Sequence, residues 1–260
     1  MMPSMQNPDI RPGGGLVGGN LLSLETNPSS NQWMLEHADD CTHGDVLIVQ
    51  NQTDGRGRLQ RSWLAAADQT LCLSIFLNAP TFEQHPERCG MAAALAIHDT
   101  LSDLSIASQL KWPNDVWVTG RKISGILLEG RSNGVGCVLG IGLNVAVPKE
   151  NLDAAGFDHP ATSILAELNG HPPIDEVWEL LRNKLSLRLP QVDPSAWPQL
   201  LNDWRSADAL LDTQLTLMTP TGPVEGAYRG IDPTGALSLA TDAGLQTFLA
   251  GDIQRVRPAT

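Results

Sequence analysis

Apolar runs alternate with polar turns along the chain, and the lengths of those runs predict strands through much of it. β-Branched and long aliphatic residues dominate 46–52 and 70–77, which predicts two strands. The second run is almost entirely apolar, as expected of a strand in the middle of a sheet. Three further strand-like runs, broken by Pro-Asn-Asp, Thr-Gly and Ser-Asn-Gly turns, lie at 108–120, 121–131 and 134–148.

Helical segments lie between and after these strands. Ser29 or Ser30 is a suitable N-cap for a short helix that begins near Asn31. The segment 86–104 opens with proline and continues alanine-rich, which predicts a buried helix. Because strands and helices do not alternate regularly, the pattern predicts an α+β fold, a mixed sheet covered by helices on one face. Further helices are predicted near 160–169, 174–188 and 195–205.

The two ends of the chain differ in pattern from its middle. Residues 1–20 are rich in proline, glycine and methionine and have no hydrophobic period, so we expect a flexible leader. After Asp212, five short strands separated by proline and glycine turns predict a small, partly closed β barrel. We therefore expect one large domain at 21–208 and a second, small domain at 209–260.

The negative net charge disfavours some classes of binding partner. Seventeen lysines and arginines stand against 29 aspartates and glutamates, which gives a net charge of −12. Phosphate backbones and anionic membranes repel such a chain, so DNA binding is not expected, and any bound anion needs a locally basic pocket. Apolar runs are too short for a transmembrane helix, and the first residues do not resemble a signal peptide. With four cysteines and no CxxC pair, we expect a cytoplasmic protein with reduced thiols.

Basic residues are concentrated in two short segments, each next to a predicted strand. Arginine side chains and the backbone amides of Gly55 and Gly57 suit the oxygen atoms of a phosphate. The concentration therefore indicates a pocket for a multiply charged anion, although a solvated basic surface is the alternative interpretation. Six of the 17 basic residues lie in these segments: Arg56, Arg58, Arg61, Lys111, Arg121 and Lys122.

Four motifs in this order, GRGRLQRSW, KWPND, RKISGILLE and GIGLN, resemble those of the biotin protein ligase family. The later segment YRGIDPTGAL resembles the small SH3-like domain of that family, and the likeness extends from Leu21 to Arg257. It implies a catalytic domain like that of class II aminoacyl-tRNA synthetases, followed by an SH3-like barrel. It also implies an ATP-dependent enzyme that forms biotinyl-5′-AMP and transfers biotin to a lysine of a biotin carboxyl carrier domain. That domain would belong to acetyl-CoA carboxylase or a similar carboxylase.

The resemblance also implies roles for individual residues. Lys122, Asp115 and Arg58 would be catalytic, with Lys122 at the biotin carboxylate and α-phosphate, and Asp115 near the acceptor lysine or the Mg²⁺ that accompanies ATP. The residues implied to contact biotin are Ser29, Ser30, Asn31, Gln52, Arg56, Gly57, Arg58, Lys122 and Gly125. Those implied to contact ATP or the adenylate are Arg58, Arg61, Trp63, Lys111, Asn114, Lys122 and Asn144.

The chain departs from the family pattern at three positions. Residues 55–61, GRGRLQR, form what we call the arginine loop, after Arg56, Arg58 and Arg61. Gln60 stands in this loop where the family often has glycine, although all three arginines remain. Pro28 stands where an acidic residue often precedes a Ser-Thr-Asn element, and Ser30 replaces the threonine of that element while keeping its hydroxyl. Gln60 bears on the conformation of the arginine loop. Pro28 and Ser30 bear on the contacts that the resemblance implies between Ser29, Ser30, Asn31 and the ureido group of biotin.

Some of these residues can also be explained by a purely structural role. Ser29 and Ser30 would cap a helix in any protein, and Asn114-Asp115 after Pro113 is a good turn by itself. The nearest alternative enzyme is a lipoate ligase, which would share the fold and also activate its acid as an adenylate. The KWPND motif together with the arginine loop favours biotin as the substrate. A non-catalytic biotin-binding module is a second rival, but it would need neither Lys122 nor the arginines.

Some relatives carry an additional N-terminal winged-helix domain of about 60 residues and repress biotin genes. Because only about 20 residues precede the first motif-bearing region here, we expect a monofunctional ligase that does not bind DNA. We expect either a monomer or a homodimer, since the exposed edge of the predicted sheet is compatible with both.

Overall fold

A computed structural model of the protein describes residues 7–131, 135–155 and 159–258, without the side chains of Gln60, Arg255, Arg257 and Pro258. Residues 1–6 of the predicted leader therefore lie outside the described residues, as does the side chain of the departure at position 60. The strands before the C-terminal domain are β1 (Asp9–Arg11), β2 (Leu21–Asn27), β3 (Val46–Gln52), β4 (Gly55–Arg56), β5 (Ser62–Trp63), β6 (Thr70–Leu77), β7 (Gln109–Lys111), β8 (Asp115–Val118), β9 (Arg121–Gly130) and β10 (Cys137–Asn144). The helices are α1 (Ser30–Glu36), α2 (Pro80–Gln84), α3 (Pro86–Asp103), α4 (Lys149–Ala154), α5 (Ile164–Leu168), α6 (Ile174–Arg188) and α7 (Trp197–Ser206).

Eight of these strands form one mixed sheet in the order β1-β2-β3-β6-β10-β9-β8-β7. The β2–β3 pair is parallel, and the other neighbouring pairs are antiparallel. Strand β6, the nearly all-apolar run of the sequence, lies inside the sheet and is buried along its whole length. The predicted α+β class and the interior position of this strand are confirmed.

Helices cover both faces of the sheet, which differs from the single covered face that the sequence pattern predicts. Side chains alternate across a strand, so Leu71, Leu73 and Ile75 of β6 pack in the large core that includes α3. Phe76 of the same strand points the other way and packs with Met34 of α1 in a second, smaller core. The short helix α1 was predicted. Because it has only seven residues, its apolar pattern does not show from the sequence which face of the sheet it covers.

The predicted leader also differs from expectation where the structure describes it. Strand β1 pairs with β2, and Leu16 is buried with 1% of its surface exposed. The Leu16 amide donates to the Gly44 carbonyl at 2.8 Å. This glycine-rich segment docks mainly through backbone contacts with β2 and Gly44, and such contacts produce no hydrophobic period.

The C-terminal strands are β11 (Thr213–Thr219), β12 (Gly222–Ile231), β13 (Leu237–Thr241), β14 (Gly244–Phe248) and β15 (Asp252–Pro258). They form an antiparallel sheet in the order β14-β13-β12-β11-β15, so the last strand returns beside the first. This arrangement agrees with the predicted small SH3-like domain. It contacts the large domain through the Tyr228 hydroxyl, which donates to Asp208 at 2.6 Å, and through the Trp112 indole of the large domain, which donates to the Gly235 carbonyl at 3.1 Å.

Within the described residues, no helix is long and apolar enough to cross a membrane.

Candidate active site

A cavity of about 370 Å³ opens on the face of the sheet that carries α1. Its floor includes Gly125, Gly142 and Cys72, which are cross-strand neighbours on β9, β10 and β6, and the neighbouring pair Leu127 and Gly140 on β9 and β10. A Cβ atom at Gly140 would lie 2.2 Å from Asn31 Oδ1, and one at Gly142 would lie 2.3 Å from the Trp63 ring. The two glycines of the GIGLN motif thus allow other side chains to lie directly on the sheet.

One end of the cavity is a network of neutral polar groups at the start of α1. Ser29 caps the helix, and its hydroxyl accepts from the Gln32 amide. The Ser30 amide and hydroxyl both donate to Gln52 Oε1, at 2.8 and 3.1 Å. Because these groups are buried and already satisfied by one another, this end is rigid before any ligand arrives.

Asn31 continues this network across the sheet. Its Oδ1 lies 2.5 Å from the Ser74 hydroxyl, and that hydroxyl lies 2.8 Å from Ser30 Oγ. On the other side, Asn31 Nδ2 donates to the Leu127 carbonyl at 3.3 Å and to Glu129 Oε2 at 2.8 Å. The Asn31 amide is therefore held from both ends.

The opposite end of the cavity is charged. Lys122 Nζ lies 2.5 Å from Asp115 Oδ1, and Lys111 Nζ lies 3.6 Å from Asp115 Oδ2. Lys111 is buried, and this burial lowers its pKa from the ordinary lysine value, while the charge of Asp115 opposes that change. The cluster therefore holds two ammonium groups around one carboxylate, which leaves net positive charge for an anion.

Backbone contacts hold the charged residues in place. The Lys122 amide donates to the Pro160 carbonyl at 2.8 Å, and the Lys122 carbonyl accepts from the Thr162 amide at 2.8 Å. The Asn114 side chain donates to the Ile126 carbonyl at 2.6 Å, which anchors the turn of the KWPND motif on β9.

The arginine loop between β4 and β5 lies over this charged end. Arg58 donates to Asn114 Oδ1 at 3.4 Å and to the Gly251 carbonyl at 3.2 Å, and Arg61 forms a two-point ion pair with Asp252 at 3.0 and 2.5 Å. Gly251 and Asp252 belong to the C-terminal domain, so that domain takes part in placing the loop. Arg56 faces Glu129 at 3.9 Å on the neutral side of the cavity.

Aromatic rings lie against the two lysines. The Lys122 ammonium lies 5.7 Å from the centre of the Trp63 ring, and the Lys111 ammonium lies 4.8 Å from that of Trp117. The Trp117 and His159 rings have centroids 6.3 Å apart, and His159 lines the cavity. Asn144 also lines it and donates to the Thr162 carbonyl at 3.0 Å.

All the residues to which the resemblance assigned a role line this one cavity: Ser29, Ser30, Asn31, Gln52, Arg56, Gly57, Arg58, Arg61, Trp63, Lys111, Asn114, Asp115, Lys122, Gly125 and Asn144. Gly55, whose backbone amide was considered for a phosphate, is not among the lining residues. The structure thus brings the predicted set together, while the role of each residue stays a prediction. Arg121, counted with the basic segments, instead pairs with Glu167 at 2.9 Å.

Several residues of this region were not predicted from the sequence. Ser74 lies within the apolar strand β6, and its isolated polarity was the one available signal. Glu129 is the last residue of the RKISGILLE motif, but its position in that motif does not show that it contacts Asn31. Asp252 and His159 lie far along the chain from the arginine loop and from KWPND, and no local pattern connects them to either.

The arrangement suits a particular class of reaction. A neutral hydrogen-bonding recess can hold the uncharged head of a ligand, and an adjacent cation cluster can hold a carboxylate together with a phosphate. Among the residues that the structure describes, no group of three or more His, Cys, Asp or Glu side chains could hold a metal ion. Fold and site together define a ligase that activates a carboxylic acid.

Comparison with known proteins narrows this class. Residues 25–145 match the model of the biotin/lipoate A/B protein ligase family, and residues 214–256 match the biotin protein ligase C-terminal domain. A biotin–[acetyl-CoA-carboxylase] ligase of Mycobacterium tuberculosis is 34% identical over 222 residues, which cover 82% of this chain and 80% of that protein. The bifunctional ligase/repressor BirA of Escherichia coli is 27% identical over 249 residues, covering 92% of this chain and 75% of BirA.

A solved structure agrees with these matches. The biotin protein ligase from Aquifex aeolicus in complex with biotin and ATP superposes with a TM-score of 0.79 at 25% identity, covering 92% of this chain and 99% of that one. This chain belongs to the biotin protein ligase family, and the resemblance that its motifs indicated is confirmed.

Proposed function

We propose that the protein activates biotin with ATP to biotinyl-5′-AMP and then transfers biotin to a lysine of a biotin carboxyl carrier domain. The observation that carries this proposal is the single cavity in which a neutral polar network and a cluster of lysines and arginines lie side by side. The Aquifex relative with biotin and ATP and the Mycobacterium relative named for acetyl-CoA carboxylase support it. Four free cysteines and a net charge of −12 suit a cytoplasmic enzyme that does not bind DNA.

In the first step the ureido head of biotin would bind at Ser30, Asn31 and Gln52, and its carboxylate would lie by Lys122. A carboxylate oxygen then attacks the α-phosphorus of ATP, a bond to that phosphorus forms, and pyrophosphate leaves. Both reactants are anions, so they repel each other. The cations of Lys122, Lys111 and Arg58 offset that repulsion and stabilise charge on the α-phosphate in the transition state.

Mg²⁺ would accompany ATP and neutralise part of the phosphate charge. Such ions are usually held by one or two carboxylates together with substrate phosphates. Asp115 could supply one such carboxylate, because it lines the cavity at the end proposed for the phosphates.

In the second step the amine of the acceptor lysine attacks the acyl carbon of the adenylate, and AMP leaves with the electrons of the cleaved acyl–oxygen bond. Asp115 is the cavity carboxylate closest to Lys122 and can take the proton that the attacking amine loses. The mixed anhydride is readily hydrolysed, and the arginine loop would exclude water from it. The contacts of Arg58 and Arg61 with the C-terminal domain would help to hold the loop closed.

The test is ATP–pyrophosphate exchange with purified protein and Mg²⁺, comparing biotin, lipoate and no acid. Biotin-dependent exchange is the expected result. Exchange with lipoate alone would reject biotin as the substrate while keeping the adenylation chemistry. A folded protein that binds biotin without any exchange would be a binding module. Biotinylation of a purified carrier domain of acetyl-CoA carboxylase then tests the acceptor.

A further inference from the structure

Glu129 lies just beyond the cavity, on the same face of β9 as the cavity residues Gly125 and Leu127. Side chains two residues apart share a face of a strand, and the β9–β10 register is regular from Ser124 to Gly130. Glu129 does not line the cavity itself, yet its Oε2 atom lies 2.8 Å from Asn31 Nδ2. The carboxylate therefore acts on the site only through the residues that it contacts.

The surroundings of Asn31 require one orientation of its amide. On one side lie two acceptors, the Leu127 carbonyl and the Glu129 carboxylate, and both need the NH₂ group. On the other side lies the Ser74 hydroxyl, which can donate to Oδ1. Rotating the amide by half a turn would place its oxygen against a carboxylate and a carbonyl, so the carboxylate opposes the rotated state most strongly.

The same carboxylate faces the arginine loop. Arg56 approaches Glu129 Oε2 at 3.9 Å, and both side chains are partly exposed. At that distance the pair is weak, so the contact with Asn31 is the stronger of the two. Leu127 and Ser74 would still favour the observed amide orientation without Glu129, but less strongly.

We infer that Glu129 is a positioning residue for the acid's head group: it fixes the Asn31 amide so that Oδ1 faces the cavity floor at Gly140 as an acceptor. This inference rests on the proposed function, because it needs a ligand with an N–H donor at this end. Glu129 would then sharpen the selection of an acid whose head group carries N–H over one whose head group does not.

The experiment compares Glu129→Ala, Glu129→Asp and Glu129→Gln in ATP–pyrophosphate exchange, with biotin and with biotin methylated on its ureido nitrogens. Alanine removes the acceptor for Asn31 Nδ2. Aspartate keeps the negative charge, but its shorter side chain holds the carboxylate farther from Asn31. Both variants should therefore lose about tenfold in kcat/KM for biotin. The loss should appear in KM for biotin and not in KM for ATP. Glutamine keeps an acceptor oxygen but can also turn its NH₂ group toward Asn31, so it no longer opposes the rotated amide and should lose several-fold in kcat/KM for biotin.

The ratio of kcat/KM between biotin and its methylated analogue should fall by a similar factor in the alanine and aspartate variants. Glu25→Gln, an exposed change on β2, is the matched control for loss of one negative charge. Unchanged discrimination in the folded aspartate variant, or a folded glutamine variant that discriminates as well as the unaltered protein, would overturn the inference. Absence of biotin-dependent exchange in the unaltered protein would instead reject the proposed function.

Discussion

The two ends of the cavity are built on opposite principles. At the α1 end, neutral groups satisfy one another: Gln52 accepts from Ser30, and Ser74 joins Ser30 to Asn31. At the other end, charged groups are only partly compensated, because Lys111 and Lys122 share the single carboxylate of Asp115. The first end is complete without a ligand, whereas the second has positive charge in excess.

This difference assigns different tasks to the two ends. A preformed neutral network gives specificity, because its donors and acceptors are held in fixed directions and a ligand whose polar groups do not match them cannot form hydrogen bonds there. Uncompensated cations near a reacting centre lower a barrier, because they stabilise charge that grows in the transition state. Changes at the neutral end should therefore alter the KM for biotin, and changes at the charged end should alter kcat.

The largest effect is expected from Lys122→Ala at the charged end. Removing one preorganised charge from the reacting phosphate should lower kcat for exchange by about 10²–10³-fold, with a much smaller change in biotin affinity measured by calorimetry. Lys149→Ala, an exposed lysine on α4, serves as the control. Equal loss of kcat in both variants, or loss of biotin binding alone, would contradict the division of tasks.

Gly140→Ala should break the neutral end most severely. The new methyl group would lie 2.2 Å from the position of Asn31 Oδ1, so the asparagine must move. A misplacement of that size in a binding site can reduce activity by about 10²-fold, and here the reduction should appear in KM for biotin with KM for ATP unchanged. Gly130→Ala, on the same sheet with open space around it, should leave both constants unaltered.

Asp115→Asn tests the charged end through pH. Burial already lowers the pKa of Lys111, and the negative charge of Asp115 works against that decrease. Removing the charge should lower the pKa of Lys111 further, so Lys111 loses its proton at a lower pH. The alkaline decline of the exchange rate should then move to lower pH, as a pH–rate profile would show. A profile unmoved relative to the unaltered protein would mean that the charge of Lys111 is not needed; Asp242→Asn in an exposed turn is the control.

The smallest change is expected from Ser74→Ala. It removes one hydroxyl from the neutral network, and a single net hydrogen bond contributes about 0.5–1.5 kcal/mol. KM for biotin should rise several-fold, while kcat and KM for ATP stay constant. Ser238→Ala, a buried serine of the C-terminal domain, should have no effect on these constants. A fall in kcat without a change in KM for biotin would mean that Ser74 contributes to catalysis and not to biotin binding.

Sequence patterns predicted the elements whose burial is periodic and whose contacts are local. Strand β6 and helix α6 were predicted at 70–77 and 174–188, with the bounds that the structure shows. The helix predicted near 160–169 is shorter, Ile164–Leu168, because the backbone before it pairs with Lys122 instead. Helices α2 and α4 have five and six residues, too few for a recognisable hydrophobic period.

The candidate site was predicted where motifs concentrate unusual chemistry, as at Arg58 and Lys122. What the sequence could not supply was the set of partners that hold those residues. Asp252 contacts Arg61 across 191 positions of chain, and Glu129 contacts Asn31 across 98. Such pairs depend on the strand order and on how the C-terminal domain docks, neither of which leaves a local pattern.

The most direct test of the proposed two-step reaction is a single turnover with excess protein, biotin, Mg²⁺ and ATP labelled at the α-phosphate. The label should first accumulate on the protein as biotinyl-5′-AMP. Adding a purified biotin carboxyl carrier domain should then release it as AMP while the carrier gains biotin. Carrier biotinylation without a labelled adenylate, or an adenylate that persists after the carrier is added, would contradict the two-step reaction.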